Sequence, residues 1–241
     1  MTECPYCGTR LRKRAPKLER HGDELTAKQT RRDRRRQRSA ERRARGSRLA
    51  LAGDRPYLTM AAILIPAIVL VVERASNLGI IDLGAIVTPV GGEWWRYLAA
   101  PFVYDDLGYL FAIGLALAIF LPGVERRLGL VPSALLVVAC GGLGMLAASG
   151  LDSAIGEGLP AAGGNGIALG VLGAWLALRD SERRTDPTEE YDQAAIAVAA
   201  AVLLLLPLVD DFASPWAGLV GGLVGLFAGL TMALGRRRAA R

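Results

Sequence analysis

The sequence contains few side chains that could act as a catalytic base. Its one histidine is His21, and its only lysines are Lys13, Lys17 and Lys28. A serine nucleophile must pass its proton to such a neighbouring base. Because all four residues precede residue 30, a serine elsewhere in the chain would need that base to come from the N-terminal segment.

Charge is also absent from most of the chain. Hydrophobic residues make up 52% of the sequence, and the charged residues concentrate in residues 1–56 and in short islands beyond them. The uncharged stretches between islands are about 16 to 23 residues long, and roughly 20 apolar residues cross the hydrocarbon as a helix. We therefore predict an all-α membrane protein with six spans. The predicted spans are residues 57–72, 107–124, 130–148, 161–178, 194–209 and 212–234.

The basic residues are distributed asymmetrically about these spans. Of the 29 lysines and arginines, 27 fall on one side and two, Arg74 and Arg96, on the other. By the positive-inside rule, the side rich in basic residues is cytoplasmic. We therefore predict a multi-pass plasma membrane protein of prokaryotic type with both termini in the cytoplasm. The outer side receives acidic residues that include Asp105, Asp106, Asp152, Glu157, Asp210 and Asp211.

The basic N-terminal tail, residues 1–56, is predicted to be separate from the membrane domain, residues 57–235, and a short basic C-terminus, residues 236–241. As a helix, residues 31–48 would be charged on every side, so they have no apolar stripe to bury. We expect a partly disordered tail held near anionic lipid headgroups. A nucleic-acid contact is disfavoured, because no aromatic side chains interleave the arginines.

The first residues contain one half of a zinc-ribbon pattern. Cys4 and Cys7 have the C-x2-C-G spacing at which two thiolates can bind one zinc ion. A closed site would need water, His21 plus another donor, or a second chain, since Cys140 lies in an apolar span. A degenerate zinc ribbon or free thiols is the favoured interpretation, and bound zinc is the alternative. We expect no other cofactor, and no structural disulfide on the reducing side of the membrane.

A family resemblance begins at residue 92. Residues 92–129 resemble the first loop and second helix of the rhomboid intramembrane serine proteases. The matching features are the pair Trp95 and Arg96, the long outer loop, and the closing segment that starts with Glu125 and Arg126. Residues 78–90 and 97–102 of the long first loop, residues 73–106, are too apolar for an open aqueous loop, so we predict that this loop lies in the outer membrane interface.

Two glycine-rich segments extend the resemblance to residues 57–234. Residues 163–170 resemble the G-x-S-G segment that opens the family's fourth helix, and residues 218–225 resemble its sixth-helix H-x-x-G-x-x-x-G segment. The resemblance therefore implies a six-helix rhomboid-like bundle. Small residues every four positions let helices approach closely. The glycines expected to pack helices or contact a client are Gly166, Gly170, Gly221 and Gly225.

The residues that match the family's catalytic positions are all changed. Asn165 takes the place of the serine nucleophile and Gly218 that of the histidine. Tyr104, Tyr109 and Ile113 correspond to the second-helix residues that stabilise the oxyanion. By resemblance, we predict a pseudoprotease that binds the transmembrane helices of client proteins without cleaving them.

Other functions are possible in principle. An active intramembrane serine endopeptidase is the family's activity, but the missing base disfavours it. An aspartyl mechanism is disfavoured because the outer acids fall at span ends, where solvated carboxylates are the default. Transport is disfavoured because no span has an ionisable residue at its centre. A membrane-anchored scaffold acting through the basic tail is a further alternative.

Overall fold

The structure is a computed structural model that describes residues 2–3, 10–11, 56–76, 78–87, 90–155, 160–183 and 192–239. The chain divides into two units, Met1–Arg55 and Pro56–Arg241. In the first unit, strand β1 (Thr2–Glu3) pairs with strand β2 (Arg10–Leu11) in antiparallel fashion. Cys4, Cys7 and the arginine-rich segment lie outside the described residues.

The second unit is built from helices. They are α1 (Tyr57–Ser76), α2 (Arg96–Ala99), α3 (Leu107–Leu128), α4 (Leu130–Ile155), α5 (Asn165–Arg183), α6 (Gln193–Leu205) and α7 (Pro215–Ala239), with 3-10 turns at Ala100–Phe102 and Leu206–Leu208. The helical prediction is confirmed for this unit. The first unit also has two short strands that were not predicted, so the chain is mostly helical rather than all-α.

Four described helices are long and apolar enough to cross a membrane. The protein is therefore an integral membrane protein. The predicted count of six spans and the interfacial position of the first loop stay predictions. The four candidate spans are Tyr57–Ser76, Leu107–Leu128, Leu130–Leu151 and Pro215–Gly235.

Several helix bounds differ from those predicted. Helix α1 continues to Ser76, four residues beyond its predicted end, because charged residues at the end of a span can remain helical while facing water. Helix α5 begins at Asn165 rather than at residue 161, since Gly163 has a φ of +88° that no right-handed helix accommodates. Gly129, with a φ of +87°, separates α3 from α4 in the same way.

Short polar side chains fix where three of the helices begin. The Asp106 side chain accepts a hydrogen bond from the Tyr109 amide, which caps α3. The Asp192 side chain does the same for the first turn of α6. Helix α7 starts at Pro215, directly after Ser214, whose hydroxyl accepts from the backbone of the first turn. Each cap satisfies an amide that has no partner inside its own helix.

Helix α5 lies at the centre of the unit and packs against α3, α4 and α7. Residues 161–172 are all buried. Helix α6, by contrast, has only Leu203 buried. The bundle therefore has a sheltered central helix and a peripheral one that follows it in the chain.

A polar clamp joins three helices at the end of the unit where α3 finishes. The buried carboxylate of Glu125 accepts from the amides of Leu58 and Thr59 at 3.0 and 3.2 Å, capping the start of α1. Arg127 forms two parallel hydrogen bonds with Glu182 of α5, at 2.7 and 2.8 Å. Such bidentate pairs fix geometry as well as adding energy. Arg126 lies in the same last turn of α3.

Candidate functional site

Two positions that are far apart in the sequence meet at the opposite end of the unit. Asn165, the first residue of α5, is only 1% exposed and lies against Gly218 of α7. A Cβ atom at Gly218 would be 2.6 Å from the Asn165 amide nitrogen, so glycine leaves the space that this side chain occupies. Neither polar atom of the amide has a hydrogen-bond partner among the described residues. The positions matched to the family's serine and histidine are therefore neighbours in space.

Two buried tyrosines close over the turn that precedes Asn165. The rings of Tyr104 and Tyr109 are 5.2 Å apart between centroids and tilted by 60°. Tyr109 fills the place where Gly163 would carry a Cβ, and Tyr104 does the same at Gly164. Ile113 is also buried beside this turn, with its Cγ2 atom 3.1 Å from the Cβ position of Gly164. All five residues matched to catalytic positions thus surround one turn.

These side chains offer hydrogen bonds and little acid–base chemistry. A carboxamide such as that of Asn165 is neutral and a poor nucleophile. Burial raises the pKa of Tyr104 well above its usual range, so its phenol stays protonated at neutral pH. The Tyr109 hydroxyl faces the backbone N–H of Asn165 without completing a hydrogen bond. Since residues 56–241 contain no histidine or lysine, this unit supplies no base of either type.

The hydroxyls of Ser149 and Ser214 have hydrogen-bond partners with structural roles. The hydroxyl of Ser149 lies 3.3 Å from that of Tyr97, which links α4 to α2. Ser214 accepts from the Ala217 amide at 3.4 Å as part of the α7 cap. The side chain of Ser153 lies outside the described residues. These contacts of the two hydroxyls are therefore structural ones, between helices or at a helix cap.

Trp95 and Arg96 hold the first loop together. The Arg96 guanidinium donates to the backbone carbonyls of Ile81 and Ala85 at 2.5 and 3.1 Å, and pairs with Glu93 at 2.6 Å. It also lies 5.0 Å from the centroid of the Trp95 ring, a cation–π distance. The pair therefore joins two segments of the loop, and this contact network is a structural role for both residues.

The glycine rows bring α5 and α7 into backbone contact. A Cβ atom at any of three positions on α7 would overlap the backbone of α5. These glycines let α7 approach a neighbouring helix closely, and that neighbour is α5. The contacting pairs are Gly221 with Gly166, Gly225 with Gly170, and Gly229 with Ala174.

An acidic cleft beside this site was not predicted as a unit. It has a volume of about 450 Å³ and lies where α3 begins and where α6 connects to α7. Burial, and the negative charges of Asp106 and Asp105, raise the pKa of Asp210, and backbone N–H donors partly offset the rise. The available signal was the pair of Asp-Asp sequences at span ends that face the same side. The lining residues are Asp105, Asp106, Gly108, Tyr109, Leu206, Val209, Asp210, Asp211 and Phe212.

The fold and the site define a polytopic helical membrane protein with a buried polar cluster and an acidic cleft at one end of its bundle. The sequence model of the Rhomboid domain matches residues 91–235, which is more than half of the chain. The chain therefore belongs to the rhomboid family. The match includes α2 to α7 apart from the last residues of α7. No individual curated protein matches the sequence.

Proposed function

We propose that this protein is a rhomboid pseudoprotease, which binds transmembrane helices of client proteins and does not cleave them. One observation carries the proposal: Asn165 and Gly218 adjoin each other at the positions matched to the family's serine and histidine. Neither residue can supply a nucleophile or a base. The only histidine and lysines lie before residue 30, on the side of the membrane that we predict to be cytoplasmic.

The proposal includes a six-span topology in which α5 and α6 also cross the membrane. The uncharged part of α5, residues 165–178, would measure only about 21 Å at 1.5 Å per residue. A helix surrounded by α3, α4 and α7 does not meet lipid along its length, so it need not match the hydrocarbon thickness. Helix α6 and its 3-10 turn together form a 16-residue apolar segment, and a bilayer adapts to a short span by local thinning.

The proposal also places the first loop in the outer interface, on the side that receives few basic residues. Trp94 is 71% exposed and Trp95 is partly exposed beside Arg96. Indole rings favour the depth of the lipid headgroups. A loop held rigid by Arg96 at that depth supports a role in guiding client helices, and this role rests on the family resemblance.

The peripheral packing of α6 supports client binding. Leu107 and Phe111 of α3 and Leu205 of α6 are largely exposed on the same half of the bundle as Asn165. An apolar client helix can therefore contact α3 and α6 without displacing the close α5–α7 pair. The buried tyrosines and Asn165 lie behind that surface and keep their positions.

The test uses the full chain in lipid nanodiscs and a synthetic transmembrane peptide of about 20 apolar residues. A photocrosslinking amino acid is placed at Leu107, and a matched control places it at Val71, which is similarly exposed on α1. We expect peptide capture at Leu107 to exceed that at Val71, and the captured peptide to keep its full mass. We also expect no labelling by serine-directed covalent inhibitors.

Two results would contradict the proposal. Equal capture at Leu107 and Val71 would mean that the peptide meets no specific surface. Cleavage of the peptide by the unmodified chain would favour an active protease, and persistence of that cleavage after Ser149→Ala, Ser153→Ala and Ser214→Ala would point to the outer carboxylates instead. Deletion of residues 1–50 separates the scaffold alternative, which predicts that function is lost with the tail while peptide binding remains.

A further inference from the structure

The aspartates of the acidic cleft are not neutralised by side chains in the part of the chain that the structure describes. None of the four carboxylates forms an ion pair with any residue in the described ranges. Asp106 accepts from the Tyr109 amide at 3.0 Å and Asp210 accepts from the Phe212 amide at 2.9 Å, and each bond uses one carboxylate oxygen. The second oxygen of Asp106 is left for another partner.

One basic side chain lies nearby without pairing with them. Arg74 donates to the backbone carbonyl of Asp105 at 2.5 Å, so its guanidinium is directed at the chain rather than at a carboxylate. One cation against four carboxylates leaves an excess of negative charge. Since opposite charges attract more strongly where water is partly excluded, the half-buried Asp210 makes the cleft a favourable environment for a second cation.

A buried polar group on one of the lining residues also lacks a partner in the described ranges. Tyr109 lines the cleft and is 3% exposed, and its hydroxyl forms no hydrogen bond with the described residues. An unpaired buried hydroxyl is costly, which favours an occupant with hydrogen-bond donors and acceptors of its own.

The borders of the cleft are apolar and open. Leu208 and Val209 are 81% and 87% exposed, and Leu107 at the start of α3 is largely exposed as well. An occupant that satisfies both surfaces has an apolar body and a cationic end. The described residues contain no group of three side chains placed to ligate a metal ion, so an isolated divalent cation fits this cleft less well.

We propose that the acidic cleft receives a lysine or arginine side chain at the outer end of a client transmembrane helix, whose apolar body lies along α3 and α6. This inference rests on the proposed client-binding function and names the feature of the client helix that the cleft selects. Basic residues are scarce at the outer ends of membrane spans. A cleft of this charge therefore distinguishes a minority of helices from the rest.

The experiment compares two synthetic peptides in nanodiscs of zwitterionic lipid, with the full chain. Both have about 20 apolar residues, and they carry either arginine or glutamine at both ends, so that the direction of insertion does not matter. Binding is measured by fluorescence energy transfer. We expect the arginine peptide to bind about tenfold more tightly, and the preference to shrink in about 1 M salt, where charges are screened within about 3 Å.

Matched variants test whether the cleft is responsible. The double variant Asp106→Asn with Asp210→Asn keeps the amide-capping oxygens and removes two charges, so we expect it to fold and to lose most of the arginine preference. Asp82→Asn is the control, because Asp82 is an exposed aspartate that accepts from the Gly79 amide in the first loop and does not line the cleft. This variant should keep the preference.

The possible outcomes distinguish a failure of this inference from a failure of the client-binding function on which it rests. Equal binding of the two peptides to the unmodified chain, or a preference that survives in the double asparagine variant, overturns the cleft inference and leaves client binding in place. If neither peptide binds, the client-binding proposal itself fails. A preference lost equally in Asp82→Asn would show that general surface charge, rather than the cleft, attracts the arginine.

Discussion

Helices α5 and α6 follow each other in the chain, yet they are packed in opposite ways. Helix α5 is buried over residues 161–172, counting the turn before it, and its glycines meet the backbone of α7. Helix α6 buries only Leu203. Glycines on both α5 and α7 permit this backbone contact, whereas α6 contains no glycine. Asn165 and Gly218 lie on α5 and α7, which we call the rigid pair, and the acidic cleft adjoins α6, which we call the loose helix.

The largest change in stability should follow from adding one methyl group between α5 and α7. Gly225→Ala puts a Cβ atom into the backbone of Gly170, which cannot move aside as a flexible side chain would. We expect a loss of about 3 kcal/mol or more in unfolding free energy, measured by thermal or denaturant unfolding in detergent.

The control for this change lies on the same helix. A Cβ atom at Gly235 would meet nothing within 4 Å. Gly235→Ala should therefore be neutral, or stabilising by up to about 1 kcal/mol through helix propensity. Equal stability of the two alanine variants would show that α5 and α7 are less closely packed than described.

A smaller effect is expected at the single anchor of the loose helix. Leu203→Ala removes the only buried side chain of α6 and should cost about 2 kcal/mol, the low end for such a cavity. The exposed neighbour gives the comparison, since Val202→Ala should change stability by less than about 0.5 kcal/mol. If Val202→Ala proved the costlier change, α6 would have the opposite face towards the bundle.

The pH dependence of stability tests the acidic cleft. Because the pKa of Asp210 is raised in the folded state, folding is favoured while this carboxyl is protonated and the advantage is lost as the pH rises through the raised value. Asp210→Asn should therefore increase the melting temperature at pH 7 but not at pH 3. The gain should be less than about 1 kcal/mol, since the group is partly solvated. An Asn variant less stable at pH 7 would mean that Asp210 has a favourable partner.

The smallest effect concerns restored chemistry on the rigid pair. Asn165→Ser with Gly218→His returns the two residue types, and the shorter serine vacates the space that a Cβ at residue 218 needs. We expect at most slight cleavage of a transmembrane substrate, because Ile113 and the two buried tyrosines would leave the oxyanion poorly stabilised, and loss of one such donor costs roughly 100-fold to 1000-fold. Rapid cleavage by this double variant would show that the tyrosines do support the reaction.

The helices could be predicted from sequence because uncharged runs of membrane length have few alternatives in a bilayer. Their ends could not, since a charged residue such as Arg74 at a span end is compatible with either helix or loop. The start of α5 depends on the positive φ of Gly163, which a glycine permits without requiring. The glycine rows indicated close packing, but only the fold shows that α5, and not a second chain, meets α7.

The sequence predicted which residues form the candidate site but not how they pack together. Resemblance placed Asn165 and Gly218 together, and the structure brings them into contact. The tyrosines were recognised as departures from the family, whereas their packing against Gly163 and Gly164 depends on a turn that no spacing rule describes. The cleft was missed because its two aspartate pairs are about 100 residues apart, and loop acids are usually solvated singly.

The carboxylate of Glu125 has a mechanical consequence. It grips the first turn of α1 through Leu58 and Thr59, immediately after the point where the basic segment enters the membrane unit. Tension applied to the chain before Pro56 therefore passes into α3 through three hydrogen bonds, two from backbone amides and one from a hydroxyl, instead of unwinding α1 from its free end. Arg127 and Glu182 carry the same load onward to α5.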